Sequence, residues 1–364
     1  MLSPSPTVPI ATPPPPTDPP VISCDGGDPA APLVAYYDAE DLWLYDATAD
    51  ASRRLTEDGD VGFEHTPAFL NGSCLAYGTY GTSEPSTIEL VDLAGGARRT
   101  IVEETGGSLD VSPDGTTIVY LQIDHDVDST YRLKRVDIDG GVPVVLYTFH
   151  PNIGRGAGSE DEVSVAWAPD GSTILVANTH ESTRQNPYGA IYLFDRSGRE
   201  IRGEWAGTHP RWSPDGRSIY YRDHAGLGDG QRWHALDVRT MQTTTLGIRP
   251  GTNNLVVSPN GEWVAYDTSW FGDKPLGTRT PDGAPNVFAY NLTTGIERLL
   301  KRGALGAIWL SDRGVAVTNA TERGRRSLSS WESLGTVTRV SMGGDRTELD
   351  MTSTLFNVAV YLGP

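Results

Sequence analysis

The sequence predicts an all-β protein, a seven-bladed β-propeller with four antiparallel strands per blade. Composition and two recurrent signatures carry that prediction. The chain has 364 residues, including 41 glycines and 26 prolines, and only 38% hydrophobic content. That balance favours short strands and many turns. No long stretch carries apolar residues at helical spacing.

The first signature is an apolar-Ser-Pro-Asp-Gly turn followed by a β-rich run. It reads VSPDGTTIVY ending at Tyr120, WAPDGSTILV at Val176, WSPDGRSIYY at Tyr221 and VSPNGEWVAY at Tyr266. Weaker copies are FLNGSCLAY ending at Tyr77 and WLSDRGVAV at Val317. Proline presets φ at the second turn position, Asp or Asn caps the turn, and Gly tolerates its exit geometry, so each copy reads as a tight hairpin.

The second signature is an alternating strand ending in Asp or a stand-in, followed by another turn. Seven copies occur: LWLYD ending at Asp46, IELVD at Asp92, LKRVD at Asp137, IYLFD at Asp195, WHALD at Asp237, VFAYN at Asn291 and VTRVS at Ser341. Successive copies lie 42 to 58 residues apart. One unit is therefore four strands, the spacing of a propeller blade, and seven copies mean seven blades.

These turns and units resemble the TolB-type propeller repeat, which is related to the WD-type repeat, from about Val21 to Pro364. The resemblance implies a closed ring of blades. It leaves function open, since such propellers include binding scaffolds, enzymes and gating domains of peptidases.

Residues 1–26 read as an extended arm ahead of a propeller spanning 27–364. Nine of the first twenty residues are proline, which fixes φ and removes donor N–H groups. The arm is expected to act as a spacer, with surface tethering one use for it. It shows no signal-peptide pattern as written. The first outer hairpin, Leu33 to Leu55, lacks an inner strand. Two segments compete to supply it. The expected one is the C-terminal run Thr354–Leu362, which has no hairpin of its own; the other is Val21–Gly26, which echoes the Ser-Pro-Asp-Gly turn.

With strands lettered A (inner) to D (outer), both signature turns fall on one face of the disc, and the B–C and D–A connections fall on the other. Length variation concentrates on that second face: 150–162 after blade 3, and the B–C loops through 179–188, 268–285 and 319–335 in blades 4, 6 and 7. Variable loops mark it as the expected binding face. Six of the seven histidines map there, His65, His150 and His209 to D–A connections and His125, His180 and His224 to B–C loops, with His234 on a C strand. Glu64 and Glu181 adjoin two of them. Imidazole with carboxylate can ligate a divalent metal or exchange protons; solvated loop residues are the plainer reading. Trp270, Phe271 and Trp331 are the aromatic anchor candidates of the same face, or local loop packing. The run Asp124-His-Asp126-Val-Asp128 opens like a calcium loop, but Ser129 stands where glycine is needed and Arg135 where the closing Glu belongs.

Net charge is −18, from 29 basic and 47 acidic residues. Such a chain is repelled by phosphate backbones, so nucleic acid is not an expected partner. No apolar run approaches a membrane span. Nucleophile-elbow, His-Glu-x-x-His and phosphate-loop motifs are absent. Cys24 and Cys74 fall on the short-turn face of adjacent blades and are expected to form a disulfide, which favours an extracytoplasmic compartment.

The expected function is a non-enzymatic extracytoplasmic scaffold that docks a protein or glycan on the loop face, drawn from Glu64, His65, His180, Glu181, His209, Arg211, His224 and the three aromatics. The alternative is a metal-dependent enzyme acting on a polysaccharide. The run Thr208-His-Pro-Arg-Trp-Ser-Pro-Asp-Gly216 looks similar to the inner-strand pattern of oligogalacturonate lyases. That resemblance implies His65 and His209 as ligands of a transition metal and Arg211 facing substrate carboxylates. The net charge opposes an acidic polymer unless metal and arginines offset it locally.

Overall fold

Each blade is organised by its two turns. The computed structural model describes residues 22, 24, 32–38, 41–57, 66–79, 86–103, 108–124, 130–149, 163–178, 190–223, 231–250, 252–268, 285–319, 335–353 and 358–363. Among them 28 strands form seven four-stranded antiparallel sheets, and none of the elements is a helix. The inner strands of blades 2 to 7 are β4 (Ala68–Asn71), β8 (Leu109–Val111), β12 (Val163–Trp167), β16 (Thr208–Trp212), β20 (Asn253–Val257) and β24 (Ala304–Ser311). The seven-bladed propeller is as the sequence predicts.

The A–B turns show why the motif recurs. Ser112 Oγ donates to Asp114 Oδ1 (2.6 Å) and accepts from the Thr117 amide (3.0 Å). Ser213 repeats this with Asp215 and Ser218, and Ser258 with Asn260 and Trp263. The glycine that follows takes φ of +68° to +71° at Gly115, Gly171, Gly216 and Gly261, where a Cβ would be strained. Hydrogen bonds from Ser112 and Thr116 hold the Asp114 carboxyl at about 2, below the usual 3.8.

In blades 1, 2, 4 and 5 the Asp that ends the C strand caps the C–D turn through its Oδ1. Asp46 accepts from the Thr48 amide (2.8 Å), Asp92 from Ala94 (2.8 Å) and Asp237 from Thr240 (2.7 Å). The stand-ins keep an acceptor oxygen: Asn291 Oδ1 accepts from the Thr294 amide (2.7 Å) and Ser341 Oγ from Asp345 (3.0 Å). The carbonyl of the next residue is then free to accept from the preceding blade. Arg53 donates to Leu93 O, Arg99 to Ile138 O (3.0 Å), Arg135 to Arg196 O (3.2 Å) and Arg298 to Met342 O (3.3 Å). Arginine suits this joint because its fork reaches a carbonyl while its stem lies along the outer strands.

Apolar side chains collect between blades. One cluster packs Phe149, Trp167, Tyr192 and Phe194 across blades 3 and 4; another packs Tyr220, Trp233, Tyr266 and Phe288 across blades 5 and 6. The Trp ahead of the A–B turn adds a polar tie: Trp212 Nε1 donates to Ala166 O (3.5 Å) and Trp309 Nε1 to Val256 O (3.2 Å), each in the preceding blade.

Blade 1 holds β1 (Leu33–Asp38), β2 (Asp41–Asp46) and β3 (Ala51–Arg54), and its inner strand is the C-terminal β28 (Ala359–Tyr361). Leu33 pairs with Tyr361, Val34 with Val360 and Ala35 with Ala359. The competing segment is used otherwise. Ile22 and Cys24 pack beside the cluster between blades 2 and 3, and Cys24 bonds Cys74 with the Cα atoms 5.4 Å apart. Asn71 Nδ2 donates to Cys24 O (2.9 Å), seating the arm beside the A–B turn of blade 2.

The cross-link closes a loop of 50 residues. Chain entropy gives such a loop about 4 kcal/mol of stabilisation. Cys24→Ser/Cys74→Ser is therefore expected to melt about 5 °C below the wild type in a calorimetric scan. An unchanged melting temperature would show that the bond restrains only the arm.

Candidate binding site in the central channel

The inner strands of all seven blades enclose a central cavity of about 550 Å³. Its lining reaches Thr66, Ser108, Ser164 and Val358 at the starts of inner strands, so it lies toward the loop face. Its walls are largely apolar, with Phe69, Leu109, Trp212 and Tyr361 among them.

Strand pairing places one residue from each blade at a common level: Ala359, Ala68, Asp110, Ala166, Arg211, Val256 and Ile308. All seven line the cavity. Five are apolar, one is acidic and one is basic. In blades 3 to 6 this level lies two residues before the first residue of the A–B turn motif, so aligning the motifs brings Asp110 and Arg211 together. Asp110 is absent from the candidates named from sequence, and that alignment was the signal that could have found it.

The two charges differ in their duties. Asp110 Oδ2 accepts from the Trp167 amide (2.7 Å) and Oδ1 from its own strand at Val111 (2.9 Å). Ser108 Oγ accepts from the Val165 amide (3.2 Å). Blade 3 thus satisfies edge amides of β12 in blade 4. Asp110 is half-buried and enclosed by protein. Burial raises its carboxyl to about 7, while the Trp167 and Val111 amides pull the other way. Arg211 has no such engagement. Its side chain is exposed to the cavity, its Nη1 donates to the adjacent Pro210 O (3.0 Å), and among the described residues no carboxylate pairs with it. Protein on all sides pulls its guanidinium below the usual arginine range.

His209 lies inside β16 rather than in the connection before it, at a register shift and with φ of 54°. Asn254 (φ 51°) and Gly306 (φ 61°) occupy the matching bulges of blades 6 and 7. The bulge is therefore part of the repeat, and a left-handed residue is needed in each. Arg222 Nη2 lies 3.4 Å from His209 Nδ1. Burial, then the nearby Arg222 and Arg211, hold the imidazole well below its usual range, so it is neutral at neutral pH.

A buried polar tie follows in blade 6. Asp267 ends β21 (Trp263–Asp267) and is wholly buried. Its Oδ2 accepts from Asn254 Nδ2 (2.7 Å) and from the Gly306 amide of blade 7 (2.8 Å). Burial lowers Arg222 to about 10, against the opposing pull of Asp223 and Asp267. His234 lies on β18 (Trp233–Asp237), the C strand expected from sequence; its Nε2 is 2.8 Å from Asp223 Oδ2.

Of the residues named from sequence, the structure brings Arg211 to the channel wall and places His209 on the same inner strand, outside the cavity lining. Glu64, His65, His180, Glu181, His224, Trp270, Phe271 and Trp331 lie outside the described residues, as do the long connections. Of the calcium-like run, Asp124 ends β9 (Thr117–Asp124), and Asp126 and Asp128 lie outside the described residues. Among the described residues no group of three or more His, Cys, Asp or Glu is placed to hold a metal ion. The guanidinium groups beside His209 make its surroundings cationic, which suits an anion better than a cation.

No family model matches the sequence, and no curated protein matches it. Solved structures do. An oligogalacturonate lyase in complex with manganese is 17% identical, with 77% of this chain and 79% of that one aligned and a TM-score of 0.59. The oligogalacturonate lyase of Vibrio parahaemolyticus is 17% identical over 77% of this chain and 80% of its own, with a TM-score of 0.58. TolB of Acinetobacter baumannii is 16% identical over 91% and 82%, with a TM-score of 0.47. At these identities the lyase likeness establishes the propeller fold and nothing finer.

Proposed function

We propose that the protein is a non-enzymatic, extracytoplasmic binding scaffold that docks a protein or glycan on its loop face and receives an acidic group of that partner at Arg211. The observation that carries this reading is Arg211 itself, a guanidinium facing an apolar cavity with no carboxylate partner among the described residues. In such surroundings a carboxylate gains two parallel charge-assisted hydrogen bonds and the apolar walls take the rest of the group. With a net charge of −18, the surface as a whole opposes a polyanion. A partner with one inserted acid fits better than a uniformly acidic one. The disulfide supports the compartment, since such bonds persist outside the reducing cytosol.

A second reading is favoured by the lyase likeness together with Arg211: a metal-dependent lyase of carboxylated glycans. One experiment separates the two. An oligogalacturonate and a peptide carrying a single glutamate among apolar residues serve as probes, with and without manganese. The scaffold reading expects saturable calorimetric binding of one probe, unchanged probe afterwards, and about 10- to 100-fold weaker binding by Arg211→Ala. Unsaturated sugar products would overturn it in favour of the lyase. Failure of both probes to bind would remove Arg211 as the anchor.

A further inference from the structure

The channel holds two isolated charges of opposite sign. Among the described residues, Asp110 and Arg211 are the charged members of the cavity lining. They share one level of the channel, Asp110 on β8 of blade 3 and Arg211 on β16 of blade 5. No ion pair joins them, and among the described residues no cation pairs with Asp110. Burial and two amides account for the raised Asp110 carboxyl, and burial alone for the lowered Arg211 guanidinium. Neither charge feels the other, and an enclosed charge without a counter-ion is costly.

Both groups have bonds left to make. A carboxylate offers about four acceptor positions, and the Trp167 and Val111 amides fill two of those on Asp110. An ammonium beside it favours the charged form against the burial that opposes it. Arg211 engages Nη1 alone, with Pro210 O. The surface between the two is apolar. A ligand reaching from blade 3 to blade 5 crosses blade 4, which presents Val165, Ala166 and Leu175 to the cavity, with Leu109 and Trp212 to either side. The volume of about 550 Å³ falls within the roughly 300–1,000 Å³ of small-molecule sites.

We propose that the channel binds a short apolar peptide carrying both a free amine and a free carboxylate, the carboxylate on Arg211 and the ammonium on Asp110. This ligand presupposes Arg211 as the acid receptor proposed above and makes Asp110 the residue that selects among acids. Three properties single it out. Its two charges complement the two in the cavity. It is neutral overall, so the net charge of −18 does not oppose it. Its aliphatic side chains suit the wall over blade 4, against which a glycan would set hydroxyl groups. Asp110 also works against the wrong ligand, because a second carboxylate entering beside it is repelled.

Calorimetric titration of the full chain with leucyl-leucine, its N-acetyl form and its C-terminal amide tests the assignment, near pH 7 where α-amino groups are charged. Leucyl-leucine is expected to bind saturably. Each capped form should bind at least about tenfold more weakly, having lost one charge-assisted bond. In Arg211→Ala the free and acetylated peptides should both weaken at least about tenfold. In Asp110→Asn the acetylated peptide should keep its affinity, and the preference for the free amine should fall below about threefold. The comparison of the three peptides on the wild type needs no variant, so it decides the matter even where Asp110→Asn does not fold. Equal binding of the free and acetylated peptides, lost together in Arg211→Ala, would overturn the role of Asp110 and leave Arg211 as an acid receptor. Binding of neither would overturn both. Muramic acid, a sugar with one amine and one carboxylate, binding more tightly than leucyl-leucine would overturn the peptide and give the site to a glycan.

Discussion

A chain ending at residue 357 is expected to lose about 5 kcal/mol of stability and to melt about 7 °C lower than the full chain. The truncation removes β28, and with it three ladder pairs to β1. It exposes Val34 and Ala35, which are otherwise fully buried. It also separates blade 1 from both neighbours. Tyr361 lies 5.8 Å from Phe69 of blade 2, ring centre to ring centre, and Ala359 and Tyr361 pack on the blade 1–2 cluster. Val358 and Val360 pack on the opposite cluster, with Ile308 and Leu310 of blade 7. Three ladder pairs contribute about 1 kcal/mol each, and the half-buried side chains add about 2 kcal/mol together. Calorimetry of the truncated and full chains checks the figure. Melting within about 1 °C of wild type would mean that the ring does not depend on this closure.

Much of this arrangement was legible because the repeat writes local chemistry into local sequence. Ser112-Pro-Asp-Gly115 must turn where it stands, since the hydroxyl, the carboxylate and the left-handed glycine all act within five residues. The Asp, Asn and Ser closing the C strands are legible for the same reason. The disulfide followed once Cys24 and Cys74 were placed on the same face. The joints between blades are a different matter. Asp267 reaches the Gly306 amide 39 residues away, and an amide leaves no mark in a sequence. His209 adopts a left-handed conformation because the bulge requires it, a constraint visible only beside Asn254 and Gly306 in the matching bulges. The loop-face histidines and aromatics depend on connections that no turn chemistry fixes. Arg211 was named from its neighbourhood in sequence, but its opposition to apolar partners at one level of the channel emerged only from strand register.

Asp267→Ala is expected to cost about 3–5 kcal/mol, the penalty for breaking a buried, hydrogen-bonded charge. The carboxylate is wholly buried, accepts from the Gly306 amide and from Asn254, and favours the charged form of Arg222 across the blade interface. Alanine strands all three groups. Asp267→Asn keeps an acceptor for Gly306 but removes the charge, and should cost about 1–3 kcal/mol. A double-mutant cycle tells the two contributions apart. If the charge matters, Arg222→Met combined with Asp267→Leu will be less destabilising than the sum of the single changes by at least about 1 kcal/mol. Urea titrations of the four proteins supply the numbers. Strict additivity would place the whole effect in the neutral bonds to Gly306 and Asn254. Coupling would mean that a buried electrostatic link between Asp267 and Arg222 helps hold blade 5 to blade 6.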